Sequence, residues 1–160
     1  VSVSAEQLKE SMRHWVTGVA IVTSRFKDEI HGMTVNSFTS VSITPPLIVV
    51  TLANSTRTYK LVKQSGLFGV TLLGINQKNI SDRFAGHIGE NQDRFEGLKT
   101  FTLEKDIPFI NGGLAFFECE VKDTYPMDVS TIFIAEVTST KKGSGSPLIY
   151  HDRGYYGLGE

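Results

Sequence analysis

The sequence predicts a mainly β fold, an antiparallel barrel with a few short flanking helices. Three observations predict it. Strand-length segments recur along the 160 residues, separated by Gly, Pro, Asn and Asp turn signals. Helical periodicity is confined to short stretches. The strands follow one another too closely for regular βαβ units. A chain of this length fits one domain, residues 1–160. Its 40% hydrophobic content can bury a core without staples.

The elements read as follows. Ser4 and Gln7 form a capping box, and Leu8, Met12 and Trp15 fall on one face of a helix that Gly18 ends. Val19 to Thr23 is a strand, Phe26 to Glu29 a polar turn, and Ile30 to Val35 the returning strand of a hairpin. Ser37 to Ile43 is a further β segment closed by Pro45 and Pro46. Leu47 to Leu52 is almost wholly apolar, which predicts a strand buried on both faces. A short amphipathic helix carries Tyr59, Val62 and Lys63 and stops at Gly66. Leu67 to Leu73 is a strand, and Asn76 to Phe84 a second short helix. Ala85 to Gly97 is loop-like, with a helical turn near Asp93 to Glu96. Leu114 to Val121 and Thr131 to Val137 are the clearest late strands. Lys141 to Pro147 is a loop, Leu148 to Tyr150 a last short strand, and Arg153 to Gly157 a tail.

Composition excludes several classes. The net charge of -1 leaves no electrostatic footprint for nucleic acid or an anionic membrane. No apolar run is long enough to span a bilayer, and the first residues lack the features of a signal peptide. A cytoplasmic protein is expected. The one cysteine, Cys119, rules out an internal disulfide and reads as a buried structural thiol. The four histidines, His14, His31, His87 and His151, are scattered without metal-ligand spacing, so no metal is expected. There is no G-x-G-x-x-G opening a helix, no P-loop and no nucleophile elbow.

Two segments carry a signal. Gly32 to Ser42 is rich in small hydroxyl and amide side chains. Such a strand can offer donors to a flat polar ligand, or it can be a half-exposed strand with a Ser/Thr outer face. Asn54 to Thr58 lies between a strand and a helix N-terminus. It suits a phosphate, or it is plain capping by Ser55 or Thr56 beside a solvated Arg57.

Taken in order, the motifs carry more than either segment alone. They are Gly18-Val-Ala-Ile-Val-Thr23, Gly32-Met-Thr-Val-Asn-Ser-Phe-Thr-Ser-Val-Ser42, Pro45-Pro-Leu47 and Ser65-Gly-Leu-Phe-Gly-Val70. Phe84-Ala-Gly86, Ala115 to Val121, Ile132 to Val137, Pro147 to Tyr150 and Arg153-Gly-Tyr155 follow. The set resembles the short-chain flavin reductase family, the FMN-binding split-barrel reductases that supply reduced flavin to two-component monooxygenases. The resemblance runs from about Met12 to Leu158.

The resemblance implies a Greek-key split barrel that dimerises and binds FMN or FAD, with NADH or NADPH as co-substrate. Thr34, Val35, Asn36 and Ser37 would line the isoalloxazine, with Ser40 on the same wall. Ser55, Thr56 and Arg57 would hold the flavin phosphate in the same cleft. Phe84, Ala85 and Gly86 match a loop that closes on the cofactor, and Arg153 and Tyr155 a tail motif near it. Ser130 stands where many relatives carry a histidine thought to meet the nicotinamide. The implied activity is hydride transfer from NAD(P)H to flavin, supplying a partner monooxygenase. Ser130 motivates an alternative, a flavin-binding electron carrier or redox sensor that does not oxidise NAD(P)H. An oxidase of a small amine and a barrel without ligand are the remaining readings.

Overall fold

The computed structural model describes residues 2–88 and 92–159. Helix α1 (Ala5–Met12) opens with the expected capping box: Gln7 N donates to Ser4 Oγ at 3.2 Å, and Ser4 N to Gln7 Oε1 at 3.0 Å. It is shorter than its periodicity predicts and buries none of its residues. Trp15 lies beyond its end, and Gly18 belongs to a strand, β1 (Thr17–Gly18). With no interior face to pack, nothing extends the well-capped helix past about two turns.

Strands β2 (Ala20–Phe26) and β3 (Glu29–Val35) form the expected hairpin, with Lys27 in the left-handed region at its turn. β4 (Thr39–Ser42) and β5 (Leu47–Ala53) form a second. β5 alternates buried and half-buried residues. The prediction of two buried faces fails there because the outer face is only partly covered. Helix α2 (Arg57–Ser65) is capped by Thr56 and stopped by Gly66, at φ 70°. β6 (Leu67–Leu72) follows, then a tight turn (Ile75–Gln77) leading into α3 (Lys78–Phe84). Two short pairings, β7 (Thr100–Phe101) and β8 (Phe109–Ile110), precede the long hairpin of β9 (Ala115–Pro126) and β10 (Ser130–Lys142). The tail folds back as β11 (Ile149–His151) and β12 (Gly154–Tyr156).

The main sheet runs β3-β2-β6-β9-β10-β5-β4, with every neighbouring pair antiparallel. β3 and β4 are its edges. The Ser37 hydroxyl bridges the open seam, donating to Thr51 O at 3.1 Å and accepting from Thr51 N at 3.0 Å. Inside the curl, Val22, Val50, Leu52, Phe68, Val70 and Phe133 form one core. Cys119 is buried in it, and burial followed by the Glu118 carboxylate pushes its thiol far up, which disfavours the thiolate.

A second core positions the site. Val19 and Ile21 pack on the other side, with Ile80 and Phe84 of α3, Phe95 and Leu148. β2 is therefore buried on both faces. α3 and the β11–β12 hairpin, whose Tyr150 and Tyr155 pack on this core, lie over the outside of the β2–β3 hairpin. β1 pairs with β11, tying the C-terminal hairpin to the entry of β2.

Candidate functional site

β3 pairs with β2 on one side only, so the other row of its backbone groups meets no strand among the described residues. Gly32 O faces outward, because the Arg94 guanidinium reaches it at 2.9 Å. Backbone direction repeats every two residues, so the N–H and C=O of Thr34 face outward as well. Beyond them opens a cleft of about 460 Å³ lined by Val19, Thr34, Val35, Asn36, Ala85 and Arg153, among others.

α3 forms the opposite wall. The Thr34 hydroxyl donates to Ser81 O at 2.6 Å, fastening β3 to the helix. Ser81 Oγ and Tyr155 Oη share a hydrogen bond of 2.7 Å, and Lys78 Nζ lies 5.6 Å from the Tyr155 ring centroid. These contacts hold the C-terminal hairpin over the cleft, and burial raises the Tyr155 phenol above its ordinary range. The left-handed turn at Gly86, φ 86°, reverses the chain after α3. His87 N then bonds back to Asp82 O at 3.2 Å, and His87 Nδ1 comes within 3.6 Å of the Asp82 carboxylate. Both side chains line the cleft.

Of the residues singled out in the sequence, Thr34, Val35, Asn36, Ala85, Arg153 and Tyr155 meet in this cleft. Ser37 lines the adjoining apolar trough, its hydroxyl occupied with Thr51. Ser40 is on the edge strand β4, opposite Ile48, and is not part of the cleft wall. Phe84 points inward at 0% exposure, edge-to-face with Phe95, so it supports the loop rather than meeting a ligand. Gly86 supplies the turn, and an added Cβ there would lie 3.3 Å from Arg94.

The second predicted segment lies elsewhere. Thr56 is spent on capping, donating to Ala53 O and accepting from Tyr59 N, and Ser55 is exposed. Arg57 is paired with Glu29 at 2.8 Å. Glu29 starts the seven-residue β3 and Val35 ends it. At the rise of a strand, the Glu29 end that Arg57 meets is about 20 Å along β3 from Asn36. The single cleft expected from the sequence is thus two recesses along one sheet edge, with Arg94 between them, since Arg94 also lines the second recess beside His31 and Arg57. Ser130 pairs with Ala53 across β10 and β5, so it stands at the capping-loop end and not in the cleft.

The sequence reading missed Val19, Ser81, Asp82, His87 and Tyr150, all of which line the cleft. Ser81 and Ala85 are four apart, as are Lys78 and Asp82, so the spacing of one helix face was the available signal.

His31 marks the second recess. Its Nδ1 lies 2.8 Å from Thr58 Oγ1. Burial, then the charges of Arg94 and Arg57, push its imidazole down to about 4. In an unfolded chain histidine titrates near about 6.5. Between those values the unfolded chain binds the extra proton, so folding stability falls as the pH drops through that window. Water reaching the half-buried ring screens the effect to about 1–2 kcal/mol. Urea unfolding at about pH 7 and about pH 4.5 should show this loss, and His31→Asn should remove that share of it. An identical acid loss in both proteins would refute the assignment.

The residues present suit a flavin. The unpaired β3 edge and the Asn36 amide offer donors and acceptors to a heterocycle rim, and Val19, Val35 and Ala85 offer apolar surface to its face. The cleft volume of about 460 Å³ is in the range of small-molecule sites.

Comparison with known proteins places this geometry. Residues 12–159 match the family model described as flavin reductase like domain. The NADH-dependent flavin reductase StyB of Pseudomonas fluorescens is 33% identical over 161 residues, covering 98% of this chain and 92% of the relative. The reductase component of 4-hydroxyphenylacetate 3-monooxygenase from Thermus thermophilus is 30% identical over 151 residues, 94% of each chain. The solved structure of the flavin reductase PheA2 superposes with a TM-score of 0.90 at 29% identity, covering 99% of this chain and 100% of that one. The resemblance read from the ordered motifs is borne out, as is the mainly β fold: the chain belongs to the flavin reductase like domain family.

Proposed function

We propose that this chain is an NAD(P)H:flavin oxidoreductase that reduces FMN or FAD and passes the reduced flavin to a partner monooxygenase. The observation that carries the reading is the cleft itself, an open strand edge at Thr34 beside the Asn36 amide, with Val19, Val35 and Ala85 among its lining. A bound flavin supplies the hydride acceptor, and NAD(P)H the hydride.

The chain's own contribution is binding, orientation and charge. Val19, Val35 and Ala85 seat a flat ring so that a nicotinamide can approach within about 3–3.5 Å. Donors on the β3 edge and at Asn36 stabilise negative charge developing on the ring they face. Tyr150 and Tyr155 cover the far side and limit water, and His87, beside Asp82, also lines the cleft. No side chain is required to take the hydride, which suits a wall of Thr, Asn and Ser.

Under this reading Thr34, Val35 and Asn36 would hold the isoalloxazine, and Arg94 and Arg57 would take its phosphate. Arg57→Ala should weaken FMN about three- to tenfold, less than a free charged hydrogen bond is worth because Glu29 already engages it. Riboflavin, which lacks the phosphate, should bind the variant unchanged. Equal losses for FMN and riboflavin would remove Arg57 from the phosphate site.

A homodimer completes the proposal. Edge strand β4 and its loop expose Val41 and Ile43, the latter at 85%, and the β9–β10 hairpin tip exposes Met127 and Val129. Light scattering at micromolar concentration should give twice the chain mass. We place the protein in the cytoplasm, with its single thiol buried and free. Among the described residues no helix is long and apolar enough to cross a membrane.

Steady-state oxidation of NADH and NADPH with FMN and with FAD tests the central claim. Loss of the reduced-nicotinamide absorbance is expected with at least one pair. No turnover with any pair, on protein that still binds flavin, would favour the electron-carrier reading.

A further inference from the structure

Arg153 and Asn36 open onto a third space as well as the cleft, apart from the recess beside His31. This recess, about 350 Å³, is also lined by Lys9, Arg13, Trp15 and Tyr150. Tyr150, Asn36 and Arg153 are shared with the cleft, so the two spaces are continuous.

The recess is built, though it lies at the surface. Trp15 follows the end of α1 and is held there by its own N–H to Met12 O at 3.0 Å. Arg13 O accepts from Asp152 N at 3.2 Å, which joins the end of α1 to the turn between β11 and β12. That turn carries two successive non-glycine residues in the left-handed region, Asp152 at φ 45° and Arg153 at φ 65°. Such a conformation costs free energy at each residue and persists where the surroundings hold it. Its result is an arginine placed where cleft and recess meet.

The chemistry of the lining is specific. Lys9, Arg13 and Arg153 line the recess with one carboxylate, Asp152, and Glu6 stands just outside the lining beside Lys9 and Arg13. The ion pairs of Lys9 and Arg13 with Glu6 are both 3.9 Å long, with Lys9 and Glu6 exposed and Arg13 half-buried, so these loose pairs leave the cations able to turn to a ligand. Trp15 leaves its indole 67% exposed beside them. An exposed aromatic face next to clustered cations fits a purine stacked on the ring with a diphosphate against the charges.

We propose that this recess binds an adenosine diphosphate group, the tail of a nucleotide cofactor whose reacting ring enters the adjoining cleft. The identity of the reacting ring rests on the flavin reductase reading; the adenosine diphosphate site does not. With the flavin phosphate assigned to Arg94 and Arg57 at the other end of β3 under the proposed function, the tail would belong to the nicotinamide dinucleotide. The same chemistry on FAD is the other source.

Trp15 is the only tryptophan in the chain, so intrinsic fluorescence reads it alone. ADP, without flavin or nicotinamide, should quench that fluorescence saturably. Trp15→Ala should weaken ADP about tenfold by calorimetry, and Trp15→Phe should retain most of the affinity. ADP competing with NAD(P)H, with a KM for the dinucleotide raised in Trp15→Ala at unchanged kcat, assigns the tail to the dinucleotide. ADP competing with FAD but not FMN, with Trp15→Ala weakening FAD only, assigns it to FAD. Fluorescence that ignores ADP at millimolar concentration overturns the site, and so does a signal that changes only with protein concentration, since a second copy would then cover the recess. Turnover persisting in either case leaves the reductase reading intact. Conversely, ADP quenching without any flavin reduction keeps the recess and removes the reductase.

Discussion

Gly32→Val is expected to destabilise the protein by about 2–3 kcal/mol and to weaken flavin binding with it. An added Cβ at Gly32 would lie 2.9 Å from Phe84 Cε1, 3.0 Å from Phe84 Cδ1 and 3.1 Å from Thr23 Cγ2. Phe84 cannot swing away, because it is wholly buried and packed edge-to-face on Phe95 at 5.1 Å. Valine has the better strand propensity, but that preference spans only about 1 kcal/mol and is outweighed by the overlap. The displaced ring would carry Ala85 with it, and Ala85 lines the cleft. A fall in melting temperature of about 5–10 °C is expected, together with a higher flavin Kd. Gly18→Ala is the control, since nothing lies within 4 Å of a Cβ there. A Gly32→Val protein melting with the parent would show that Phe84 is not locked beneath β3.

Asn36→Ala should leave the fold intact and weaken flavin by about ten- to a hundredfold. Asn36 is exposed, and its amide has no hydrogen-bond partner among the described residues. Removing it therefore leaves no buried group unsatisfied. It does remove a donor and an acceptor from the one residue that cleft, apolar trough and cation-lined recess share. Flavin fluorescence titration measures the change, with Ser40→Ala on β4 as a variant expected to bind normally. Equal affinities for Asn36→Ala and the parent would move the flavin out of this cleft.

The architecture was legible where local pattern and tertiary packing agree. Ala115 to Val121 alternates in sequence and lies in β9, although the alternation of burial breaks where Glu118 and Cys119 are both buried, and Gly66 ends α2 as its position predicts. The reading failed where burial comes from distant elements. Leu47 to Leu52 looks like a doubly buried strand, yet its outer face is only half covered. Arg153 to Gly157 looks like a loose tail, yet it contains β12, held by pairing to β11 and by Tyr155 on Ser81. β7 and β8 are two residues each, too short to leave a period.

The site divides in the same way. Thr34, Val35 and Asn36 are consecutive and small, so their role showed in the order of residues. Asp82 and His87 reach the cleft only because the turn at Gly86 folds the chain back on α3, and Tyr150 only because β11 pairs with β1. Arg57 sits in the right motif but at the far end of β3, a distance that no motif records.

A bare β3 rim also has a bearing on how the protein behaves in a test tube. Unoccupied amides in a row are a template onto which a strand from another molecule can zip. Bound flavin would shield part of that template at Thr34, so cofactor loading and colloidal behaviour are coupled through the same few atoms. Stock stripped of flavin should cloud sooner on storage than stock kept with an excess of it.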